Sequence, residues 1–282
     1  MERYDDIKGK YVYLDIHGTE YRIYYEENGK GIPLICQHSA GSHGQQFRRL
    51  MNDIKISSRY RVIAPDLPYH GKSLPPESEE WWKEEYGLTK AFYIEFLSTF
   101  CHALNLEKSV FLGACMGGCL AVDIALERSD EFRAVIGLET GVYNEAGPMD
   151  WWDNPRVSNN FKGAAMWSMM APESPENQKR ETIWCYNQGA PPVLKGDFYY
   201  YFFDYDARDK AHLIDTEKVS VYLLTGEFDP AVSPDDSRIL AKEIKGAMFT
   251  EMKGTGHFSI SENYEVLKRY LMPIFKEIHE QY

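Results

Sequence analysis

The sequence predicts an α/β protein built on a mostly parallel β-sheet with helices on both faces. The first observation is that short apolar runs, typical of buried strands, alternate with longer amphipathic segments, typical of helices. The second is that the apolar runs end in loops rich in glycine and polar residues. The third is that 282 residues with 44% hydrophobic content suffice for one large domain, or for one domain with an insertion.

The elements of the first half follow from these patterns. Two alternating runs flank a turn at His17-Gly18 and predict an antiparallel hairpin. Thr89 suits the start of a helix, because a threonine side chain accepts a hydrogen bond from the first helical turn. The predicted strands are 11–16, 21–25, 33–37, 61–64, the run that begins at residue 110, and 132–138. The predicted helices are 45–54, 89–104 and 120–128.

The alternation is interrupted between residues 140 and 215. Four of the six tryptophans lie in this segment, together with an unbroken aromatic run at 198–203. The alternation then resumes, with strands at 219–225 and 247–252 and helices at 234–244 and 261–280. We therefore predict a core formed by residues 1–139 and 216–282, with a helical, aromatic-rich cap at 140–215 inserted after the sixth strand.

Composition disfavours several classes of partner. A formal net charge of −12 argues against nucleic acid and anionic membranes. The first residues form no apolar signal region, and no stretch approaches the roughly 18 apolar residues of a membrane span, so a cytoplasmic protein is expected. The five cysteines are an odd number without a C-x-x-C pair, which favours reduced thiols over disulfides. No cluster of ligand residues implies a metal or a cofactor.

The most informative stretch begins at Val110 and ends in the pattern G-x-C-x-G-G. Gly113 and Gly117 allow the strand and the following helix to pass closely, which places Cys115 at the apex of a sharp turn. A thiolate in that position is stabilised by the positive end of the helix. The arrangement is that of a nucleophile elbow, with cysteine where serine is commoner. The alternative is a buried cysteine in a glycine-rich turn.

Two further groups complete a candidate catalytic triad. Asp229 and His257 lie in the loops that follow the last two predicted strands. An adjacent imidazole can take the proton of a thiol, and a carboxylate holds the imidazole in the required tautomer. The backbone N–H groups of Met116 and Ser39 are the predicted donors of an oxyanion hole.

Taken together, these motifs resemble the α/β-hydrolase fold superfamily over nearly the whole chain. The matching motifs are His38-x-x-Gly41, Asp66-Leu67-Pro68-x-His70-Gly71-x-Ser73, the elbow, Gly226-x-x-Asp229 and Gly256-His257-Phe258. The chain order of nucleophile, acid and histidine is that of this fold. Some members carry the acid after the sixth strand, where Glu139 stands, but the full match of Gly226-x-x-Asp229 favours Asp229.

The resemblance has one departure, which is Cys115 in place of serine. A cysteine elbow of this pattern is similar to those of dienelactone hydrolases and polyhydroxyalkanoate synthases. The inserted cap is closer to the caps of esterases, enol-lactonases and carbon–carbon bond hydrolases. The resemblance therefore implies the fold and the triad positions without specifying a substrate.

We predict a hydrolase that uses Cys115, His257 and Asp229 on an ester, lactone, thioester or activated ketone, through an acyl-cysteine intermediate. An acyltransferase with the same thioester intermediate and a non-catalytic ligand receptor are the alternatives. The aromatic cap favours a small-molecule substrate with an apolar or aromatic part. The predicted substrate contacts are His38, which also orders the oxyanion loop, His43, Trp151 and Trp152. Four basic residues are candidates either for a substrate carboxylate or for a solvated cap surface: Arg156, Lys162, Arg180 and Arg208.

Overall fold

A single twisted sheet organises the structure, a computed structural model that describes residues 4–158 and 160–281. The sheet has eight strands in the order β1-β2-β4-β3-β5-β6-β7-β8. The hairpin strand β2 pairs antiparallel with both β1 and β4, and all the other pairs are parallel. The strands are β1 Lys8–Ile16, β2 Thr19–Gly29, β3 Ile32–Gln37, β4 Tyr60–Pro65, β5 Ser109–Ala114, β6 Phe132–Leu138, β7 Ser220–Gly226 and β8 Met248–Met252. The predicted fold class is confirmed.

Helices cover both faces of the sheet. The α-helices are α1 Arg48–Met51, α2 Ile54–Ser57, α3 Lys90–Ala103, α4 Met116–Glu127, α5 Asn160–Ser168, α6 Glu176–Asn187, α7 Val193–Tyr199, α8 Pro234–Glu243, α9 Ser259–Glu262 and α10 Tyr264–Gln281. Successive residues of β5 point to opposite faces, so Phe111 packs with α3 and α4 while Leu112 packs with α10. None of the described helices combines the length and the apolar character that crossing a bilayer requires.

One predicted helix is broken in two. Residues 45–54 were expected to form one helix, but the chain forms a 3₁₀ turn at Gly44–Phe47 and then two short helices, α1 and α2. Asp53 causes the break, because it adopts extended backbone angles and its side chain accepts a hydrogen bond from the Lys55 N–H. The aspartate therefore starts a new helix instead of continuing the first.

The segment between β6 and β7 contains α5, α6 and α7 and adds no strand to the sheet in its described residues. We call this segment, residues 140–215, the insertion. Its aromatic run begins in α7 and continues into a π-helical turn at Tyr200–Asp204. The insertion lies over the carboxyl ends of the parallel strands, since the Met169 carbonyl accepts the His257 N–H at 2.9 Å.

Candidate active site

Cys115 lies at the turn between β5 and α4, in a backbone conformation that non-glycine residues rarely adopt. Its φ is 54° and its ψ is −110°. The turn requires glycine on both sides: a Cβ on Gly113 would lie 1.8 Å from the carbonyl oxygen of Gly117. The side chain of Cys115 is thus directed out of the sheet, next to the free N–H groups of the first turn of α4.

A histidine and an aspartate from the neighbouring loops meet beside Cys115. His257 Nδ1 lies 2.9 Å from Asp229 Oδ1 and 2.8 Å from Oδ2. Asp229 is itself held in place, because its Oδ1 accepts the N–H groups of Ala231 at 2.8 Å and Val232 at 3.0 Å. Because Nδ1 faces a carboxylate, it carries the proton, and Nε2 is left to face the Cys115 sulfur.

The electrostatics favour a proton on His257. Burial lowers the pKa of His257, but attraction to Asp229 and to Cys115, with a hydrogen bond to each, raises it well above its usual value. An imidazole of this kind is a proton acceptor for the neighbouring thiol. The three side chains are all buried, with 3% to 5% of each residue exposed, so water does little to screen their charges.

A second buried carboxyl group lies close to this histidine. Glu139 interacts with the charge of His257, but its Oε1 accepts a hydrogen bond from the Ser259 hydroxyl and its Oε2 has no partner among the described residues. Burial raises the pKa of Glu139 well above its usual value. The imidazole therefore donates its Nδ1 proton to Asp229 and not to Glu139.

The two predicted oxyanion donors, the N–H groups of Met116 and Ser39, differ in whether a group of the protein already binds them. Met116 is the first residue of α4, where a backbone N–H has no partner within the helix. The Ser39 N–H, in contrast, already donates to Gln46 Oε1 at 3.0 Å. The structure thus directs the Ser39 N–H to a side chain of the protein. Its neighbour Ala40 lines the same cavity as Cys115.

A cavity of about 230 Å³ adjoins Cys115 and His257. The insertion supplies most of its wall, and the lining is largely apolar: Trp152, Met166, Met169, Leu194, Phe198 and Phe202. No lysine or arginine of the described residues lines it, and Glu145 is the acidic residue on its wall. Among the described residues, no group of three or more His, Cys, Asp or Glu side chains is arranged to hold a metal ion.

Of the four predicted substrate contacts, Trp152 lines this cavity. His38 lies outside it, and both of its ring nitrogens are used within the protein: Nδ1 donates to the Ser39 carbonyl at 2.9 Å and Nε2 accepts the Leu67 N–H at 3.3 Å. Burial, with a smaller effect of the His70 charge, lowers the pKa of His38 to about 3. His38 thus orders the oxyanion loop as a neutral imidazole.

The structure places the other two predicted contacts, His43 and Trp151, elsewhere. His43 lines a separate cavity, and its Nε2 is hydrogen-bonded to the Gln188 side chain at 2.9 Å. Trp151 is 55% exposed and packs its ring on Phe161. Neither side chain borders the cavity beside Cys115.

The four basic candidates lie away from the cavity as well. Lys162 donates to the Pro191 carbonyl, Arg180 pairs with Glu176, Arg208 pairs with Asp206, and Arg156 is exposed. None of them borders the cavity. These residues therefore provide no site for a substrate carboxylate there.

Two tyrosines of the insertion reach the cavity although nothing in the sequence singled them out. Tyr186 and Tyr201 are each 4% exposed. The Tyr201 hydroxyl is buried without a well-formed hydrogen bond to any described residue. Burial, followed by the charge of Cys115, raises the pKa of the Tyr201 hydroxyl well above its usual value, so it stays protonated. The aromatic run at 198–203 was the available signal, but it did not indicate which ring faces the cavity.

The comparisons with known proteins agree with this fold. The family model described as "alpha/beta hydrolase fold" matches residues 32–264. The 30 kDa subunit of magnesium chelatase from Rhodobacter capsulatus is 32% identical over 106 residues, which are 34% of this chain and 31% of that protein. The 2-hydroxy-6-oxo-6-(2'-aminophenyl)hexa-2,4-dienoic acid hydrolase of Metapseudomonas resinovorans is 29% identical over 151 residues, which are 51% of this chain and 49% of that protein.

A solved structure matches the fold over its whole length. The thermophilic esterase from Thermogutta terrifontis superposes with a TM-score of 0.81 at 19% identity, covering 96% of this chain and 99% of that chain. At that identity the likeness concerns the fold alone. The match to the two curated relatives spans only about a third to a half of their length. Their names describe different activities, so the substrate has to be inferred from the cavity itself.

Proposed function

Because this chain belongs to the α/β-hydrolase fold family, we propose that it is a hydrolase with Cys115 as nucleophile and His257 and Asp229 as base and orienting acid. Its substrate is a small, uncharged ester, lactone or thioester. The observation that carries this proposal is the position of the His257 imidazole, between the Asp229 carboxylate and the Cys115 sulfur on the wall of an apolar cavity.

The reaction proceeds in two steps. In the first, His257 Nε2 takes the thiol proton, the Cys115 sulfur bonds to the carbonyl carbon, and His257 returns the proton to the departing alcohol or thiol. In the second, water loses a proton to His257 and attacks the thioester, and the Cys115 sulfur leaves with a proton as the free acid is released. Asp229 holds the imidazole in its tautomer and stabilises it when it is charged.

The oxyanion of each tetrahedral intermediate needs two donors. We assign this role to the N–H groups of Met116 and Ala40. Ala40 takes the place of Ser39, the donor predicted from the sequence. Met116 begins α4, so the partial positive charge of the helix end adds to its hydrogen bond. Ala40 lines the cavity, while the Ser39 N–H is directed to Gln46.

The other four cysteines are buried away from the cavity. Burial raises the pKa of the thiol in each of these four: to about 12 for Cys101 and Cys185, and to well above the usual value for Cys36 and Cys119. A thiol with a raised pKa forms little thiolate and reacts slowly. None of these four lines the cavity.

Size and charge of the cavity define the substrate class. Its volume of about 230 Å³ is below the roughly 300–1,000 Å³ of sites for drug-sized ligands. No lysine or arginine of the described residues lines the wall, so a free carboxylate on the acyl group would be desolvated without either partner. We therefore assign short, neutral acyl groups to this site, with the insertion acting as the cap that encloses them.

The test is hydrolysis of p-nitrophenyl esters and thioesters of increasing chain length, followed by mass spectrometry of the intact protein. We expect acetyl and butyryl substrates to react faster than octanoyl or succinyl substrates, with the transient acyl group on Cys115. The Cys115→Ala variant should lose both the adduct and the turnover, whereas the matched Cys101→Ser variant should retain both.

Three outcomes would contradict the proposal. An acyl adduct on another residue would exclude Cys115 as the nucleophile. Transfer of the acyl group from Cys115 to an added amine or thiol faster than to water would favour the acyltransferase. Tight binding of the substrates without product would favour a receptor.

A further inference from the structure

Another buried carboxylate, that of Asp197 on α7 of the insertion, lies outside the proposed triad. It is fully buried and accepts four hydrogen bonds. Oδ2 accepts the Gly41 N–H at 2.7 Å and His70 Nε2 at 2.8 Å. Oδ1 accepts the hydroxyls of Tyr86 at 2.8 Å and Tyr93 at 3.2 Å. One side chain of the insertion therefore joins four separate segments of the chain.

The network around Asp197 is charged. His70 Nδ1 faces the Pro68 carbonyl at 2.9 Å and Nε2 faces Asp197, so both nitrogens face oxygen acceptors and the imidazole holds two protons. Burial lowers the pKa of His70, but Asp197 outweighs it and the pKa is raised. Burial raises the pKa of Asp197, but His70 and the Gly41 N–H outweigh it and the pKa is lowered. The pair is thus an ion pair in the interior.

Asp197 acts on the loop that carries one proposed oxyanion donor. Gly41 directly follows Ala40, so fixing the Gly41 N–H fixes the orientation of the peptide next to the Ala40 N–H. The contact is close: Gly41 has a φ of +66°, and a Cβ there would lie 2.9 Å from Leu194 of α7. Another residue at position 41 would push α7 away from the loop.

The same network reaches the second proposed donor. The Tyr93 hydroxyl lies 3.2 Å from Asp197 Oδ1 and 3.4 Å from the Met116 sulfur. Both residues are buried, with Tyr93 at 0% and Met116 at 1% exposure. Asp197 therefore binds the backbone beside one proposed donor directly and reaches the side chain of the other through Tyr93.

We propose that Asp197 is a positioning residue that holds the oxyanion loop in its reactive conformation. The inference rests on the proposed function. With Asp197 in this role, the oxyanion hole depends on the docking of α7. Displacement of the insertion then disables the carbonyl chemistry even when Cys115 and His257 are intact.

The test compares two reactions of Cys115 in the full chain. Hydrolysis of p-nitrophenyl acetate passes through an oxyanion, whereas alkylation by iodoacetamide does not. Removing one oxyanion donor costs about 10²-fold to 10³-fold in kcat, so we expect Asp197→Ala to lower kcat by about 10²-fold, with KM nearly unchanged. The alkylation rate of Cys115 should stay within about twofold of wild type, because the thiol and His257 are unaltered.

Two variants calibrate the result. Asp197→Asn keeps one carbonyl oxygen able to accept the Gly41 N–H, so it should recover part of the lost kcat. Asp123→Ala is the matched control: this carboxylate is also buried and binds the Tyr200 hydroxyl of the insertion at 2.8 Å, together with Lys90 at 2.6 Å. It should lower the melting temperature without the selective loss of hydrolysis.

The possible results separate this inference from the proposed function. Wild-type kcat in Asp197→Ala, or an equal loss of hydrolysis and alkylation, would overturn the inference alone. If Asp197→Ala does not fold, Tyr86→Phe removes one donor to the carboxylate and should give a smaller loss, again in hydrolysis only; equal losses in both reactions of that variant would also overturn the inference. Failure of wild type to form an acyl adduct on Cys115 would instead overturn the proposed function.

Discussion

Two buried histidine–aspartate pairs, whose nitrogen–oxygen distances are nearly the same, lie in different parts of this molecule. His257 Nδ1 lies 2.8 Å from Asp229 Oδ2, and His70 Nε2 lies 2.8 Å from Asp197 Oδ2. In both pairs burial opposes the charge on the imidazole and the aspartate outweighs it. Carboxylate distance, burial and the direction of the pKa shift thus fail to distinguish a proton carrier from a structural ion pair.

The second nitrogen of each ring makes the difference. The other nitrogen of His70 faces the Pro68 carbonyl, an acceptor that holds the proton in place. The other nitrogen of His257 faces the Cys115 sulfur, at the wall of the cavity. The Cys115 thiol can give a proton to the imidazole and take it back, whereas the Pro68 carbonyl has no proton to exchange. We therefore expect His257 to exchange protons during turnover and His70 to keep both of its protons.

The largest expected effect compares the two histidines directly. His257→Ala should lower kcat by about 10⁴-fold, the upper range for loss of a general base, while the melting temperature changes little. His70→Ala should lower kcat by no more than about tenfold, because Asp197 keeps its hydrogen bond from the Gly41 N–H, but it should lower the melting temperature more. Kinetics with p-nitrophenyl acetate and thermal unfolding of both variants measure the contrast. Equal losses of kcat in the two variants would remove the distinction between the pairs.

The next effect separates two carboxylates near one imidazole. Asp229→Asn should lower kcat by about 10³-fold, somewhat below the 10⁴-fold of the serine precedent, since a thiol needs less help from a base than an alcohol does. Glu139→Gln keeps a side-chain oxygen for the Ser259 hydroxyl and should change kcat by less than about tenfold. A larger loss in Glu139→Gln than in Asp229→Asn would transfer the role of the acid to Glu139.

A third effect concerns stability as a function of pH. The pKa of His70 in the folded chain is raised from 6.5. Its contribution to the free energy of unfolding is therefore fully present below pH 6.5 and is lost as the pH rises through the raised value. The pKa of Asp197 is lowered, so its own contribution is lost only when the pH falls through that lowered value.

The measurement is the difference in melting temperature between wild type and His70→Gln. We expect this difference to be larger at about pH 6 than at about pH 9. His38→Gln is the control: His38 is 4.8 Å from His70 between ring centroids, but it is neutral in this whole range because its pKa is about 3. Its difference from wild type should not vary with pH. A constant difference for His70→Gln would show that the His70–Asp197 pair is not charged.

The fold was largely predictable from the sequence because its elements depend on local patterns. Strand alternation, the hairpin turn and the Thr89 cap each involve residues close together in the chain, and Thr89 does accept the Phe92 N–H. The break between α1 and α2 was missed because Asp53 is a helix N-cap in the middle of an apolar pattern. The order of Cys115, Asp229 and His257 along the chain was readable because loops at the carboxyl ends of parallel strands converge.

The rest of the site depends on contacts between distant segments. Asp197 lies 156 residues from Gly41 in the chain and 127 from His70, and no local pattern relates them. The directions of Ser39, His38 and His43 show this dependence: the sequence places these residues in the oxyanion loop but does not indicate where each N–H or ring is directed. Their directions are determined by Gln46, Leu67 and Gln188.

The smallest effect extends the comparison from imidazoles to hydroxyl groups. Tyr201 and Tyr205 are both buried, but the Tyr205 hydroxyl donates to the Gly141 carbonyl at 2.7 Å, whereas the Tyr201 hydroxyl has no well-formed partner in the described chain and lies on the cavity wall. A hydrogen bond contributes about 0.5–1.5 kcal/mol net. Loss of a donor that is available to the substrate should therefore affect turnover, whereas loss of a donor that is already bonded within the protein should affect stability.

Tyr201→Phe should therefore lower kcat/KM by a few-fold to about tenfold, and it should leave the melting temperature unchanged or slightly higher, because the hydroxyl that is removed is buried without a well-formed hydrogen bond to the described residues. Tyr205→Phe should lower the melting temperature, because the Gly141 carbonyl loses its donor, and it should leave kcat/KM near the wild-type value. Steady-state kinetics and thermal unfolding of the two variants measure both quantities. If Tyr201→Phe behaves like Tyr205→Phe, the Tyr201 hydroxyl does not contact the substrate, and a free polar atom at the cavity is not by itself a sign of function in this protein.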